Sequence, residues 1–327
     1  MKLIIPMAGR GTRLRPFTYT TSKPMMRVAG KPILGHLLDS LSALKIDKTI
    51  FIVSEDNTDL KKFVKKNYSF DATYILQKDH KGVAHAIYGA KNYANNDETI
   101  ILFADTLIKA DLKRLHNNKD LDGIIWTKQV EDPRSFGVVL THNGIISKFI
   151  EKPEIPVSDN AIVGLYYFKN SAKLFGAIEH LLKNDIKTKG EFQLTDALQL
   201  MVNQNEKLIQ EDVAVWKDCG TAQNLLDTQA YLLEHIKDNK AKTEHSIILK
   251  PVFIEKGARI INSVVGPNVS IGKDSVIESS IVSNSIVGKN ASIGQSILEN
   301  SIIGNEAKIK GSPRKLNMGD SSEIQET

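Results

Sequence analysis

The stretch PMAGRGTRLRPF, residues 6–17, follows directly on the apolar run at residues 3–5. Gly9 and Gly11 can take backbone conformations, and allow approach distances, that a β-carbon would forbid. In α/β proteins a glycine-rich turn after a strand brings backbone N–H groups close to phosphate. The turn lacks the third glycine of the dinucleotide fingerprint and the Gly-Lys-Ser/Thr of the Walker A loop. It therefore predicts an α/β fold with a phosphate-binding turn of another kind.

Two cationic side chains accompany this turn. Arg13 lies within it, and Lys23 follows in the segment TSKP. A guanidinium and an ammonium group suit a triphosphate, because the departing pyrophosphate gains negative charge that they can stabilise. Taken alone, the turn is equally compatible with a strand-to-helix connection that carries solvated arginines.

Apolar strand-like runs alternate with amphipathic stretches from residue 1 to about 237. The predicted strands are KLIIPM, KTIFIVS, ATYILQ, ETIILFA, DGIIWTKQV, AIVGLYYF and DVAVW. The predicted helices are ILGHLLDSLSALK, DNTDLKKFVKKN, AHAIYGAKNYAN, SAKLFGAIEHLLKN and LTDALQLMVNQ. This alternation predicts an α/β domain with a Rossmann-like mixed sheet over residues 1–237. Ligands of such sheets bind beyond the carboxyl ends of the strands.

A different pattern begins after the polar segment 237–246, which is the predicted linker. An apolar residue recurs about every six positions, at Ile254, Ile260, Val265, Ile271, Ile277, Val282, Val287, Ile293, Leu298, Ile303 and Ile309. Repeats of this kind are typical of a parallel β-helix. We predict a small left-handed β-helix over residues 247–311 and a C-terminal tail at 312–327, with an irregular β-sandwich as the alternative.

Length and composition agree with two domains of an ordinary globular protein. The chain has 327 residues, 41% of them hydrophobic and 25% charged, and no apolar run reaches the roughly 20 residues of a membrane span. The N-terminal segment lacks the pattern of a secretory signal. Cys219 is the single cysteine, which excludes an intrachain disulfide and favours a reducing compartment. These features predict a cytoplasmic protein with no membrane partner.

The segments GRGTRLRPFTYTTSKP at 9–24 and VAGKPIL at 28–34 resemble the N-terminal signature of the sugar-phosphate nucleotidyltransferases. Further similarity follows over the first roughly 230 residues, and long members of this family also carry a β-helix tail. The resemblance implies transfer of a nucleoside monophosphate from a nucleoside triphosphate to a sugar 1-phosphate. The pair of substrates that we expect first is dTTP with glucose 1-phosphate. UTP- or GTP-dependent transfer to glucose, N-acetylglucosamine or mannose 1-phosphate is the alternative.

The resemblance also implies which residues bind the nucleotide. Arg13 and Lys23 would hold the triphosphate and the leaving group. The nucleotide-binding residues would be Ala8, Gly9, Gly11, Thr12, Gln77 and Gly82. The amide of Gln77 both donates and accepts, so it suits the imide edge of thymine or uracil. Residues 82–84 are Gly-Val-Ala where the family often has Gly-Thr-Ala.

Two aspartates are implied as magnesium ligands. Asp105 ends the apolar segment TIILFADT, and Asp218 follows the apolar segment AVW. Two carboxylates together with water and substrate phosphates suit Mg²⁺ better than an all-protein cage does. Taken alone, Asp105 could also cap the following helix. Cys219 would be a small spacer next to the second ligand.

The segment SFGVVLTHNGIISKFIEKP at 135–153 predicts a β-hairpin with its turn at HNG. The resemblance implies that its end binds the sugar phosphate. Lys152 would neutralise the phosphate, Glu151 would accept from sugar hydroxyls, and Gly137 and Gly164 would lie close to the sugar. The segment KGEFQLTDAL also resembles a segment of the family, and by this resemblance Glu191 and Asp196 would border the site.

The sequence argues against three other functions. Many hexapeptide-repeat proteins are acyltransferases with a histidine base, but the last histidine here, His245, precedes the coils. A silent regulatory homologue would have no physical need for all the implied catalytic residues. Nucleic-acid binding is disfavoured because KKFVKKN is more simply a solvated helix face. The exposed flanks of a β-helix predict a homo-oligomer.

Overall fold

The computed structural model describes residues 1–54, 57–112, 115, 120–236, 242–311 and 317–325. The chain divides into two compact units. The first comprises Met1–Gly9 and Leu37–Trp216, and the second comprises Arg10–His36 and Lys217–Thr327. The segment that follows the first strand therefore belongs to the same unit as the C-terminal part of the chain. The linear ranges 1–237, 247–311 and 312–327 stay a prediction.

The elements up to residue 233 are those of an α/β protein. The strands are β1 Lys2–Pro6, β2 Arg27–Val28, β3 Lys31–Pro32, β4 Lys48–Val53, β5 Asp71–Leu76, β6 Thr99–Leu102, β7 Thr106–Lys109, β8 Gly123–Gln129, β9 Gly137–His142, β10 Ile145–Glu151, β11 Asn160–Phe168, β12 Leu208–Asp212 and β13 Val215–Asp218. The helices are α1 Ile33–Ser40, α2 Thr58–Asn67, α3 Val83–Tyr88, α4 Lys91–Ala94, α5 Ser171–Lys183, α6 Leu194–Asn203 and α7 Ala222–Leu233.

The first unit is built on a nine-stranded mixed sheet in the order β5-β4-β1-β6-β11-β8-β12-β10-β9. The strands β5, β4, β1 and β6 run parallel to one another, and β11 runs antiparallel to both of its neighbours β6 and β8. The carboxyl ends of the four parallel strands consequently lie at one edge of the sheet. The predicted mixed α/β sheet is confirmed.

The sheet forms because its central strands are apolar on both faces. Ile4, Ile50 and Ile101 are fully buried on three adjacent strands, in one core cluster with residues of α3, α5 and α6. Helix α5 begins where the side chain of Asn170 accepts a hydrogen bond from the backbone N–H of Ala172 at 2.9 Å. This cap satisfies one of the free N–H groups of the first turn.

Some element boundaries differ from the prediction. The segment DVAVW was predicted as one strand, but β12 ends at Asp212 and β13 begins at Val215. The polar residues of β12, LIQED, hide its strand character because they do not alternate with apolar ones. The predicted helix AHAIYGAKNYAN is divided at Gly89 into α3 and α4, and α1 ends at Ser40.

The C-terminal part of the second unit is a parallel β-helix. Its strands are β14 Lys242–Glu244, β15 Ile247–Ile248, β16 Val252–Ile254, β17 Arg259–Ile261, β18 Val264–Val265, β19 Val269–Ile271, β20 Val276–Glu278, β21 Ile281–Ser283, β22 Ile286–Val287, β23 Ser292–Gly294, β24 Ile297–Glu299, β25 Ile302–Ile303, β26 Lys308–Lys310, β27 Asn317–Met318 and β28 Glu323–Gln325. They form three parallel sheets, in the orders β14-β17-β20-β23-β26-β28, β15-β18-β21-β24 and β16-β19-β22-β25-β27.

All eleven apolar residues of the predicted repeat lie in the core of this β-helix, so that prediction is confirmed. Small polar residues stack at one corner: Ser263 Oγ accepts from the backbone N–H of Ser280 at 3.0 Å, and Ser280 Oγ accepts from that of Ser296 at 3.1 Å. At another corner Asn268 and Asn284 have φ of 57° and 39°. Asparagine tolerates this left-handed conformation better than most residues, which explains its recurrence between the apolar positions.

Strand pairing extends on both sides of the predicted range 247–311. Strand β14 pairs with β17, β27 with β25, and β28 with β26. The residues 237–241 of the predicted linker, and residues 312–316 and 326–327 of the predicted tail, lie outside the described residues. Across the described part of the chain, no helix combines the length and the apolar character that crossing a bilayer would take.

Candidate active site

The predicted nucleotide-binding residues of the first unit follow strands that end at one edge of the sheet. Ala8 and Gly9 come after β1, Gln77 comes directly after β5, and Asp105 comes shortly after β6. The parallel register that aligns these strands brings their carboxyl ends together. Gly9 is exposed, and a β-carbon there would meet nothing within 4 Å. This edge is where an α/β sheet binds its ligand.

Gly82 lies at the start of α3 and has a structural role that the sequence did not reveal. Its φ is +116°, and a β-carbon would come within 2.5 Å of the backbone oxygen of Phe192. The same oxygen accepts from the backbone N–H of Ala84 at 3.0 Å. Gln77 is half-buried and donates from Nε2 to the backbone oxygen of Asp79 at 3.0 Å. Glycine is therefore required at residue 82 for packing, independently of any base.

Lys152 has a strained backbone at the end of the hairpin formed by β9 and β10. Its φ is +43°, in the left-handed region that non-glycine residues seldom occupy. Its backbone N–H donates to Phe136 at 3.1 Å, and its backbone oxygen accepts from Lys189 Nζ at 2.7 Å. Strain of this kind persists where surrounding contacts hold it, and it clusters at functional sites. The contact from Lys189 was not predicted.

Glu151 is oriented by a residue that the sequence analysis did not select. Its Oε2 accepts from Thr195 Oγ1 at 3.0 Å, and its Oε1 lies 3.5 Å from Lys152 Nζ. A β-carbon on Gly137 would lie 2.9 Å from Thr195 Cγ2 and 3.1 Å from Glu151 Oε2. The hairpin and α6 thus bring Gly137, Glu151, Lys152 and Thr195 into one group.

Gly164 lies where β11 passes the segment that leads to Asp105. Its φ is +87°, and a β-carbon would lie 2.9 Å from three atoms of the Phe103 side chain. Its backbone oxygen accepts from the backbone N–H of Phe103 at 2.8 Å. The glycine therefore allows close approach of the strand to the chain just before Asp105.

Negative charge converges at this site. Burial raises the pKa of Tyr166 far above its usual value, and the charges of Glu151 and Asp105 raise it further. Burial also raises the pKa of Asp196, which accepts from Thr188 Oγ1 at 3.1 Å through Oδ1. Its Oδ2 is buried and has no hydrogen-bond partner among the described residues. A bound cation and ligand hydroxyl groups would both be stabilised in such an environment.

In the second unit, Gly11 organises the turn that carries Thr12 and Arg13. Its φ is +60°, and its backbone oxygen accepts from the backbone N–H of Leu14 and from Thr18 Oγ1, both at 2.9 Å. The side chains of Thr12 and Arg13 are exposed. Lys23 is 9% exposed, and its Cβ would lie 3.3 Å from a β-carbon on Gly11. The glycine makes room for the buried lysine stem.

Asp218 is held at the start of α7. Its Oδ2 accepts from Asn224 Nδ2 at 2.7 Å, and Thr221 caps the helix by accepting from the backbone N–H of Asn224 at 3.2 Å. A β-carbon on Gly220 would lie 3.0 Å from Arg13 Nη2 and from both carboxylate oxygens of Asp218. The second unit therefore brings Arg13 and Asp218 together around Gly220. Asn224 was not predicted, although its place one turn into a capped helix is a usable signal.

The donor set at these sites fits a magnesium ion held jointly with a substrate. Among the described residues, no group of three or more His, Cys, Asp or Glu side chains is arranged to hold a metal. Asp105 is exposed and Asp218 is half-buried, so both carboxylates are accessible. Carboxylate ligands completed by water and phosphate oxygens are what Mg²⁺ prefers. Cys219 is fully buried, as expected of a packing residue.

Two family models match the chain. The model described as nucleotidyl transferase matches residues 2–235, and the one described as GlmU-like, C-terminal hexapeptide matches residues 228–312. Together they cover both the α/β part and most of the β-helix.

Curated relatives match most of the chain. The glucose-1-phosphate thymidylyltransferase of Streptomyces antibioticus is 31% identical over 292 residues, which cover 86% of this chain and 80% of that protein. The bifunctional protein GlmU of Methanocaldococcus jannaschii is 33% identical over 262 residues, which cover 79% of this chain and 61% of that protein.

Solved structures agree with the fold. A putative glucose-1-phosphate thymidylyltransferase from Bacillus anthracis, in complex with a sucrose, superposes with a TM-score of 0.63 at 27% identity. The match covers 73% of this chain and 98% of that chain. A UDP-glucose pyrophosphorylase complexed with UDP-glucose has a TM-score of 0.61 at 21% identity and covers 72% of this chain and 99% of its own; it supports the fold alone.

Proposed function

Because the chain belongs to the nucleotidyl transferase family, we propose that its sugar-1-phosphate nucleotidyltransferase activity transfers a thymidylyl group from dTTP to glucose 1-phosphate. The products are dTDP-glucose and pyrophosphate. The observation that carries the reaction class is the grouping of Gly137, Glu151, Lys152 and Thr195 at one end of a hairpin, with Lys152 in a strained backbone conformation.

The reaction is a direct displacement. An oxygen of the sugar 1-phosphate forms a bond to the α-phosphorus of the nucleotide as the bond from that phosphorus to the pyrophosphate oxygen breaks. The attacking phosphate is already ionised at neutral pH, so the reaction needs no general base and no covalent intermediate. Catalysis consists of positioning and charge stabilisation.

Each predicted residue has a role in this scheme. Lys152 neutralises the attacking phosphate, and Glu151, oriented by Thr195, accepts from sugar hydroxyl groups. Arg13 and Lys23 hold the triphosphate and stabilise the charge of departing pyrophosphate. The exposed edge after β1 and β5, with Ala8, Gly9 and Gln77, receives the nucleoside, together with Gly11, Thr12 and Gly82.

Asp105 and Asp218 are the residues that would hold a magnesium ion. When bound, Mg²⁺ supplies charge stabilisation at the phosphate oxygens. Asn224 keeps one oxygen of Asp218 in a hydrogen bond and so fixes the orientation of the carboxylate. The carboxylate of Asp105 adds to the negative charge around Tyr166 that a cation would balance.

The identities of the base and of the sugar are the parts of the proposal for which alternatives fit nearly as well. The amide of Gln77 serves thymine and uracil equally well, so UTP is the first alternative nucleotide and GTP the second. Glucose, N-acetylglucosamine and mannose 1-phosphates all present hydroxyl groups to Glu151. The thymidylyltransferase of Streptomyces antibioticus, matched over 86% of this chain, favours dTTP with glucose 1-phosphate.

One panel of assays tests the proposal. Pyrophosphate release is measured with dTTP, UTP, GTP and ATP against glucose, mannose and N-acetylglucosamine 1-phosphates, with and without Mg²⁺. We expect dTTP with glucose 1-phosphate to have the highest kcat/KM, and no release without the metal. A higher kcat/KM for another pair would replace the substrates, and silence across the panel would favour a non-catalytic regulatory homologue.

The predicted homo-oligomer is part of the proposal. Ile247, Ile281 and Ile297 are 59%, 44% and 47% exposed, and they lie in one row with Val264 across the sheet of β15, β18, β21 and β24. An exposed aliphatic row of this kind is a common feature of protein interfaces. The molar mass in solution, measured by light scattering, tests it; a monomer at micromolar concentration would contradict it.

A further inference from the structure

The three outer faces of the β-helix differ in what covers them. Charged side chains such as Arg259, Glu278 and Lys308 are exposed on the sheet of β17, β20 and β26. On the sheet of β19, β22 and β25, Ser270, Ile286 and Ile302 are buried, although they alternate with the core residues. This third face is therefore covered by other parts of the second unit.

Gln229 of α7 connects three segments at this covered face. Its side chain is fully buried, and its Nε2 donates to the backbone oxygens of Asn268 at 3.0 Å and Ser285 at 2.9 Å. Its Oε1 accepts from Ser270 Oγ and from the backbone N–H of Ala29 at 3.4 Å. Since both amide protons and both lone pairs are used, the side chain has one defined orientation.

The hairpin formed by β2 and β3 packs against the same face. A β-carbon on Gly30 would lie 2.0 Å from Phe253 Cε1, so the phenyl ring lies directly against the glycine. Arg27 donates to the backbone oxygen of Gly30 and to Glu255 Oε1 on the β-helix. Glu255 Oε2 in turn accepts from the backbone N–H of Lys273 at 2.8 Å. The hairpin is thus attached by apolar packing and by an ion pair.

Contacts at the last coil reach the segment just after Arg13. Thr20 Oγ1 donates to Asp320 Oδ2 at 2.5 Å, and Asp320 Oδ1 accepts from the backbone N–H of Asn305 at 2.6 Å. A β-carbon on Gly319 would lie 3.4 Å from the ring of Pro16. The β-helix therefore contacts the glycine-rich segment on both sides of Lys23.

We infer that the β-helix is a positioning element for the triphosphate-holding segment 10–32, and that Gln229 and Glu255 are the positioning residues that connect them. Neither is among the residues implied for substrate binding. They act on Arg13 and Lys23 through the backbone of the segment that carries those two cations. The inference rests on the proposed function, because this positioning matters for catalysis only if the segment binds a triphosphate.

The dependence of segment 10–32 on the β-helix belongs to this chain, and the nucleotidyl transfer reaction does not itself require a β-helix. The Bacillus anthracis structure is matched over 98% of its own length by 73% of this chain, so nearly all of that protein is accounted for without the remainder of this one. In this chain, segment 10–32 contacts α7 through Ala29 and the coils through Thr20, Arg27 and Gly30. Part of its geometry is consequently set by residues 200 or more positions away, such as Gln229 for Ala29.

Two variants of the full-length protein test the inference. Gln229→Leu removes four buried hydrogen bonds at similar side-chain volume. Glu255→Ala removes an ion pair whose side chains are 34% and 19% exposed, at a site less buried than Gln229. Each is measured for the KM of the nucleoside triphosphate, the KM of the sugar 1-phosphate, and hydrogen exchange of residues 10–32. Glu255→Gln, which removes the charge and keeps one acceptor oxygen, is the conservative variant. Glu278→Ala, on the exposed charged face, is the matched control.

We expect both variants to raise the KM for the triphosphate roughly tenfold or more, with the KM for the sugar 1-phosphate within about twofold of wild type. Exchange in residues 10–32 should accelerate, while that of the core strands β20 and β23 stays unchanged. Glu255→Gln should recover the part of the loss that depends on one accepted hydrogen bond, and Glu278→Ala should match wild type. A purely structural role would lower thermal stability without raising the KM for the triphosphate more than the KM for the sugar 1-phosphate.

The outcomes separate this inference from the proposed function. Wild-type silence across the substrate panel would refute the function, and exchange in residues 10–32 would then decide the positioning role by itself. An active wild type with variants of unchanged KM and unchanged exchange would refute the inference alone. If Gln229→Leu fails to fold, the ion-pair variant Glu255→Ala decides.

Discussion

Arg13 Nη2 and the carboxylate of Asp218 lie on the same side of Gly220, each 3.0 Å from the point where a β-carbon on that glycine would be. A guanidinium for a triphosphate and a carboxylate for a metal are thus neighbours, although 205 positions separate them in the chain. The missing side chain at residue 220 is what leaves room for both.

Gly220→Ala tests this arrangement. The backbone of Gly220 is outside the left-handed region, so alanine is tolerated conformationally, but its methyl group must push aside the ends of two flexible side chains. We expect kcat to fall by about one to two orders of magnitude with little change in thermal stability. Pyrophosphate release and thermal unfolding measure the two effects. Gly294→Ala, where nothing lies within 4 Å, should leave both unchanged.

Asp105→Asn removes the negative charge of one predicted magnesium ligand and keeps the size of the side chain. Because Asp105 is exposed, folding should survive, and turnover should fall by roughly two to three orders of magnitude. A higher concentration of Mg²⁺ should recover part of the lost turnover. The control is Asp71→Asn, which removes a 62% exposed carboxylate that pairs with Lys48 at the start of β5. Turnover of Asp105→Asn within twofold of wild type would rule out the metal role.

Lys152→Ala should act on the sugar phosphate. Loss of the ammonium group leaves the attacking phosphate without its counter-charge, so we expect a higher KM for the sugar 1-phosphate and a kcat lower by about two orders of magnitude. The KM for the triphosphate should change little. Lys148→Ala removes an exposed lysine from β10, the strand that ends just before Lys152, and serves as the control. Equal kinetics for the two variants would contradict the assignment.

Alanine substitutions at two glycines should change the free energy of unfolding in opposite directions. Gly164→Ala places a β-carbon 2.9 Å from Phe103 at a φ of +87°, which should lower the free energy of unfolding by about 2 kcal/mol or more. Gly176→Ala, in the exposed face of α5 with nothing within 4 Å, should raise it by about 0.5–1 kcal/mol. Urea denaturation followed by circular dichroism measures both. Changes of the same sign in the two variants would contradict this prediction.

Asp196 should make stability depend on pH. Burial raises its pKa in the folded chain above the ordinary value of about 3.9, so the folded state binds the proton more tightly than the unfolded state does. The free energy of unfolding therefore falls as pH rises through the interval between the two pKa values. Asp196→Asn should unfold at a higher temperature than wild type at pH 7, and this gain should vanish near pH 3.

The charge control for that prediction is Asp227→Asn, at an exposed position on α7. Its thermal midpoint is measured at the same two pH values, and the effect of Asp196→Asn is compared with it. A pH-independent effect of Asp196→Asn would show that the carboxyl group does not titrate differently on folding.

Features governed by local geometry could be predicted from the sequence. The hairpin at β9 and β10 is confirmed because Asn143 and Gly144, with φ of 52° and 78°, can take the left-handed conformations of a tight turn. The eleven core residues of the β-helix are confirmed because each coil repeats the same backbone path. Strand β12 was missed because its half-buried polar residues have no apolar alternation.

Several contacts at the candidate site could not be read from spacing. Thr195 reaches Glu151 from α6, and Lys189 reaches the backbone of Lys152 from a loop. Asn224 orients Asp218 from the first turn of α7. Each is an ordinary polar residue in its own segment, and its partner is set by how helices pack against the sheet or how a helix begins.

The sequence by itself determined the α/β and β-helix fold classes, the family, and the residues implied for catalysis, because these depend on periodicity and on a long ordered motif. Only the tertiary structure decided that segment 10–36 belongs with the β-helix. That grouping depends on contacts such as Gln229 with Ala29 and Arg27 with Glu255, between residues about 200 or more positions apart. No local pattern encodes such contacts, because packing and hydrogen bonding form only once distant segments meet.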